Sequence, residues 1–237
     1  MKRLISLVVA SMVAGCASHP ATETLAVNSI EKSELRYIEA DKIDKVVVKN
    51  AEAFRQFDKV LLFATQFDKL RITEATDKRL AESWNESSWK EMDRICQHMD
   101  DFAQKIFREG GEFTPTKQGG TDVLAIQFNL VDYMPSSKRY KDSGMDTVGV
   151  QSNQSGLGVV TVRGTLANAK TGELVAMIED TMEINARTAT FGNLATMHDS
   201  NSKAAQNLAW RNSFRRFLDN LHAELTRLKH AKITDAK

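Results

Sequence analysis

The feature that most narrows the fold is an alternation of residue types. In Asp122 to Tyr133 (DVLAIQFNLVDY), Leu124, Ile126, Phe128 and Leu130 fall on one side. Gln127 and Asn129 fall on the other, with Ala125 and Val131 fitting less cleanly. Successive side chains of a strand point to opposite faces, so this run calls for a sheet with one face buried and the other wet. Gly158 to Ala167 and Glu173 to Ile184 repeat the pattern around Asn168-Ala169-Lys170-Thr171-Gly172, whose glycine offers a positive φ for the turn. The spacing predicts a hairpin in which Val160, Val162 and Leu166 face one way. Leu174, Ala176, Ile178, Met182 and Ile184 would line the neighbouring strand.

Two segments carry helical spacing instead. Ser88 and Glu91 stand as a capping box, and Trp89, Met92, Cys96, Met99, Ala103 and Ile106 recur in steps of three and four up to Gly110-Gly111. Ile95 and Phe102 widen that stripe. The second helix spans about Lys203 to Lys229, with Trp210, Phe214, Phe217, Leu221, Leu225 and Leu228 as its apolar stripe and basic residues at its end. Shorter strands are expected at Leu35 to Ile38, Ile43 to Val48 and Phe57 to Phe67, with Leu70 to Thr73 extending the last or forming another, while residues 74 to 87 show no clear period. Two polar stretches, 134–157 and 185–202, read as long loops. Strands, helix, strands, helix in that order predicts an α+β two-layer sandwich. Its sheet would be mostly antiparallel, of about five or six strands, with both long helices on one face.

The N-terminus says where such a domain works. Lys2 and Arg3 precede the apolar run Leu4 to Val13, which is too short for a bilayer core needing about 20 residues but suits a cleaved secretory signal. The run ends at Val13-Ala14-Gly15-Cys16. That tetrapeptide resembles the lipobox of bacterial lipoproteins. The resemblance implies lipid transfer to the Cys16 thiol and cleavage after Gly15. One acyl chain holds a protein only marginally, whereas two or three on one residue hold it firmly. The expected organisation is a signal peptide over 1–15, a lipidated polar tether over 16–34, and a single domain over 35–237. By resemblance to enteric lipoprotein sorting, Ala17 in place of aspartate implies the outer membrane, with the domain in the periplasm.

The remaining residues offer little chemistry. With 32 basic and 31 acidic residues the chain is near neutral, so it lacks the basic face of a nucleic-acid binder. Cys96, the second of two cysteines, lies on an apolar helical stripe and reads as a small core residue. Cys96 and His98 diverge by about 200° on a helix and cannot share a metal. The adjacent acids Asp100-Asp101 and Glu179-Asp180 read as solvated, although Asp180 shares parity with Ile178 and Met182 and is the acid to inspect for a buried partner. Arg211, Arg215 and Arg216 read as a solvated helix face. Trp89 and Trp210 read as core, and Trp84 is less committed. No nucleophile motif, phosphate loop or dinucleotide fingerprint occurs, so no catalytic residue, metal or cofactor is expected.

Several segments together are similar to a family of Gram-negative envelope lipoproteins known as domain of unknown function thirty-three thirteen. They are Leu35-Arg36-Tyr37-Ile38, Phe57 to Leu62, the Trp84 region, Asp122-Val123-Leu124, Thr171-Gly172-Glu173-Leu174 and Trp210. The resemblance implies an envelope location and no catalytic residues. The leading expectation is thus a membrane-anchored, non-enzymatic accessory or interaction module with an envelope protein as partner. A periplasmic small-ligand or lipid carrier is the alternative, and a hydrolase comes third. The carrier needs a sizeable apolar pocket; the hydrolase needs a serine, a histidine and an acid in one cleft.

Overall fold

The computed structural model describes residues 35–49, 51–74, 76, 78–84, 89–135, 157–185 and 203–231. The expected signal peptide over 1–15, the expected tether over 16–34 with Cys16, the expected Ser88 cap, and residues 136–156 and 186–202 of the two stretches read as loops lie outside the described residues.

The alternating segments form the three long strands at the centre: β6 (Val123–Pro135), β7 (Gly158–Asn168) and β8 (Leu174–Ile184). β6 pairs antiparallel with β7, and β7 with β8. Outside β8 come β2 (Lys45–Val48) and β1 (Arg36–Ile38), both antiparallel. On the opposite flank β3 (Lys59–Leu62) runs parallel to β6, and β5 (Thr114–Pro115) runs parallel to β3. β4 (Arg71–Ile72) also pairs with β6 in parallel. The described sheet thus has eight strands, more than the five or six expected: β4 is a separate strand and not an extension of β3, and the two residues of β5 are too few for a periodicity to show. It is antiparallel from β1 to β6 and parallel beyond.

Three other expectations need correction. Phe57 to Phe67 is not one strand. Pairing stops at Leu62 apart from a bridge from Gln66 to Asn129, and Phe57 is buried ahead of it. A short helix, α1 (Lys78–Ser83), lies in the stretch that showed no period. Leu174 is half-buried while Val175 is buried, because a bulge at the hairpin end shifts the parity between Leu166 and Ala167.

A second bulge, at Val131, lets Tyr133 follow Leu130 onto the core side. The hairpin turn forms as its sequence demands. Asn168 Oδ1 accepts from the Lys170 and Thr171 amides, and Gly172 sits at φ 70°.

The two long helices, α2 (Trp89–Gly110) and α3 (Lys203–His230), pack against each other on one face of the sheet. α2 ends where Gly111 takes φ 78°. The six predicted apolar positions of α3 are all buried. Between helices and sheet, aromatic rings meet edge-on or tilted: Trp84 on Tyr133 at 4.9 Å, Tyr133 on Trp210 at 5.3 Å, and Phe128 on Phe217 at 5.8 Å. Trp84, uncommitted in the sequence, is therefore a core residue. The Tyr133 hydroxyl donates to the Leu157 carbonyl at 3.0 Å, which satisfies its one polar atom in the interior. Gly164, mid-strand in β7, lies across from Phe128 on one neighbour and Ile178 on the other, and their side chains fill the space a Cβ would need.

Candidate functional site

Two of the four acids that read as solvated, Asp180 and Asp100, are put to use by the fold, while Asp101 is exposed as expected. Asp180 faces inward from β8 and is 8 % exposed. Its Oδ1 accepts from the Asp44 amide at 3.1 Å, and Asp44 Oδ2 accepts from the Thr181 amide at 2.9 Å. This reciprocal clasp pins the chain entering β2 onto β8. Burial raises the Asp180 carboxyl above the usual aspartate range, against the pull of the hydrogen bond from the Asp44 amide, and the charge of the Asp44 carboxylate adds a smaller upward push. Its neighbour Glu179 points to the other face and pairs with Arg163 at 2.5 Å.

Asp100 is tied to the chain leaving β3. Its Oδ1 accepts from the Thr65 amide at 2.9 Å and from the Thr65 hydroxyl at 2.6 Å. Oδ2 accepts no hydrogen bond among the described residues. Burial pushes this carboxyl upward too, against the opposing pull of the Thr65 bonds. Asp100 lines a recess of about 170 Å³ between α2 and β3, whose other walls are Leu62, Phe63, Ala64, Ala103 and Phe128, with Gln104 at the rim. A larger groove of about 290 Å³ runs between α2 and α3, lined by Lys105, Glu109, Arg215, Asp219 and His222 among others. Its charges are already paired along their own helices: Lys105 with Glu109 at 3.9 Å and Arg215 with Asp219 at 3.8 Å. His222 there packs against Gly110, Phe107 and Phe113, and burial holds its imidazole below the ordinary histidine range.

The other singled-out residues have structural places. Cys96 is buried, and its thiol is pushed far up by burial and by Asp100 and Asp93, so it is a neutral core group. Arg211 lies over the Phe102 ring at 5.7 Å, and Arg216 donates to the Glu183 carbonyl and Ser213 hydroxyl, both at 3.2 Å. The arginine face is exposed at all three positions, as read from the sequence, and Arg215 pairs with its i,i+4 partner. Ser213 donates its hydroxyl to the Glu183 carbonyl at 2.9 Å. Among the described residues no group of three or more metal-binding side chains converges, and no helix is long and apolar enough to cross a membrane. The link between Asp100 and Thr65 was invisible in the sequence, since thirty-five residues separate them.

No family model and no curated protein matches the chain. Several solved structures are similar to it. The PelC dodecamer of Paraburkholderia phytofirmans is 14 % identical, with 79 % of this chain and 96 % of that one covered and a TM-score of 0.35. A Xanthomonas campestris protein of family model DUF330 is 8 % identical, over 69 % of this chain and 81 % of that one, with a TM-score of 0.39. A hypothetical protein of Chlamydia trachomatis is 4 % identical, over 71 % and 98 %, with a TM-score of 0.35. Likenesses this distant carry no argument about function. The one family named among these three is a family of unknown function.

Proposed function

We propose that this protein is a lipid-anchored envelope lipoprotein that works as a non-enzymatic interaction module. The observation that carries the reading is the N-terminal pattern: Lys2-Arg3, a ten-residue apolar run and Val13-Ala14-Gly15-Cys16. The resemblance to domain of unknown function thirty-three thirteen and the outer-membrane placement belong to the same proposal. Lipid on Cys16 followed by residues 17–34 gives a tether of about 60 Å at full extension, enough to hold the α+β domain clear of the bilayer. The packing of the core favours a module over a carrier. Phe107, Phe113, Phe128, Phe214, Phe217 and Trp210 fill the space between sheet and helices where a lipid would have to sit.

Mass spectrometry of the mature N-terminus tests the anchor. The expected result is a chain that begins at an acylated Cys16, with Cys16→Ser leaving an unprocessed and unacylated product. A free chain starting elsewhere would overturn it. Crosslinked pull-down from envelopes tests the module, and repeated recovery of no specific partner counts against it.

A further inference from the structure

The free edge of the sheet beside Asp100 combines two features that point to one kind of ligand. The first is main-chain. β5 accompanies β3 for only two residues, and its last bond to that strand runs from the Thr116 amide to the Val60 carbonyl at 2.8 Å. The odd-numbered amides of β3 turn inward, with Lys59 and Phe63 donating to Asp122 and Ile126 of the β6 side. The amide and carbonyl of Leu62 therefore point outward, and among the described residues no strand flanks them. An unpaired strand edge is a template for another extended segment.

The second feature is the side-chain environment next to that edge. The recess has apolar walls and one carboxylate, and Asp100 Oδ2 is uncommitted within it. The same face of α2 carries Asp93, Gln97, Asp100 and Gln104 at steps of four, three and four, and no basic residue lines the recess. A carboxylate held out of bulk water without a counter-charge favours a cation. Apolar walls around it suit the aliphatic stem of a lysine or arginine. A volume of about 170 Å³ takes one such side chain and not a folded domain. A free metal ion fits less well, because the walls supply no further oxygen cage of the kind hard cations need.

We propose that this edge binds an extended peptide segment of a partner protein, which pairs its backbone with Leu62 and places a lysine or arginine side chain on Asp100. This deepens the interaction-module reading and rests on it. The tests are independent, since loss of the anchor would leave the edge intact and loss of peptide binding would leave the anchor intact.

The probe is a fluorescein-capped, amidated Thr-Val-Lys-Val-Thr peptide, titrated with the full chain in detergent. Fluorescence polarisation reads affinity, and the Leu62 amide resonance reads location. The expected result is saturable binding that shifts the Leu62 amide. Asp100→Asn, which keeps an oxygen for Thr65, weakens binding about tenfold or more, as expected when a charge-assisted bond is lost. Replacing the probe lysine by norleucine gives the same loss on the unaltered protein, and the two changes together cost no more than either alone. Asp101→Asn, on the exposed neighbour, leaves affinity unchanged. Equal binding to Asp100→Asn, no binding at millimolar peptide, or binding that leaves Leu62 unmoved would each overturn the proposal. If pentylamine alone binds as tightly as the peptide, the edge contributes nothing and the proposal fails in its main-chain part.

Discussion

Gly164→Ala is expected to destabilise the protein through a single contact, and a second substitution at that contact should abolish the effect. A Cβ on Gly164 would lie 2.5 Å from Ile178 Cγ1, 2.8 Å from its Cδ1 and 3.5 Å from Phe128 Cδ1. Carbon atoms settle at about 3.5–4.0 Å, so Ile178 has to retreat by about 1 Å. It has little room to do so, being 3 % exposed and branched at Cβ. Overpacking of this kind costs about 1–3 kcal/mol, and alanine recovers about 0.4–1 kcal/mol by restricting the unfolded chain. The net loss is then about 1–2 kcal/mol, or a fall in Tm of roughly 2–8 °C for a domain of this size. Ile178→Ala by itself should cost about 2–5 kcal/mol, because it leaves a cavity. In that background the clashing atoms are gone and the methyl added at position 164 enters the vacated space. Gly164→Ala should then be neutral or stabilising, a favourable coupling of about 1–3 kcal/mol. Urea denaturation of the four proteins, with equal m-values, measures this cycle. If Gly164→Ala costs the same in both backgrounds, the Ile178 contact is not what excludes a side chain at position 164.

Two further predictions concern buried groups. The Asp180 carboxyl is raised by burial, so the folded state retains its proton where the unfolded chain has already lost it. Stability therefore falls as pH climbs from about 3.9 through the raised native value, and returns on acidification through the same window. Asp180→Asn keeps an acceptor for the Asp44 amide and should flatten that part of the profile in denaturant titrations; an unaltered slope would refute the buried-carboxyl account. Cys96 should resist thiol reagents in the native protein, and its labelling should track unfolding as urea is raised, whereas prompt native labelling would show the thiol to be open to solvent.

Local pattern made the central strands and both long helices legible. Leu124 to Leu130 alternate over a length no turn interrupts, and Trp210 to Leu228 keep one helical stripe, so any compact fold must bury those faces together. Even the hairpin turn follows from chemistry within five residues, since Asn168 and Gly172 supply the acceptor and the positive φ. The apolar run ending at Cys16 is likewise local information, which is why the proposed anchor depends on sequence and on nothing in the fold.

What sequence could not supply is every relation that joins distant segments. Parallel pairing of β3, β4 and β5 joins segments far apart in the chain, and strands of two to four residues have little or no period to read. The bulge at Val131, set by pairing with β7, decides that Tyr133 and not Asp132 enters the core. Asp100 and Asp180 looked like solvated acids because their partners, Thr65 and Asp44, come from other parts of the chain. The environment of a carboxylate is a property of whatever packs around it, so the recess at the β3 edge exists in the tertiary structure alone. The sequence determined which surfaces must be buried and where the chain carries the apolar run of the proposed anchor; the packing of helices across the sheet decided which polar groups became buried and which stayed at its edge.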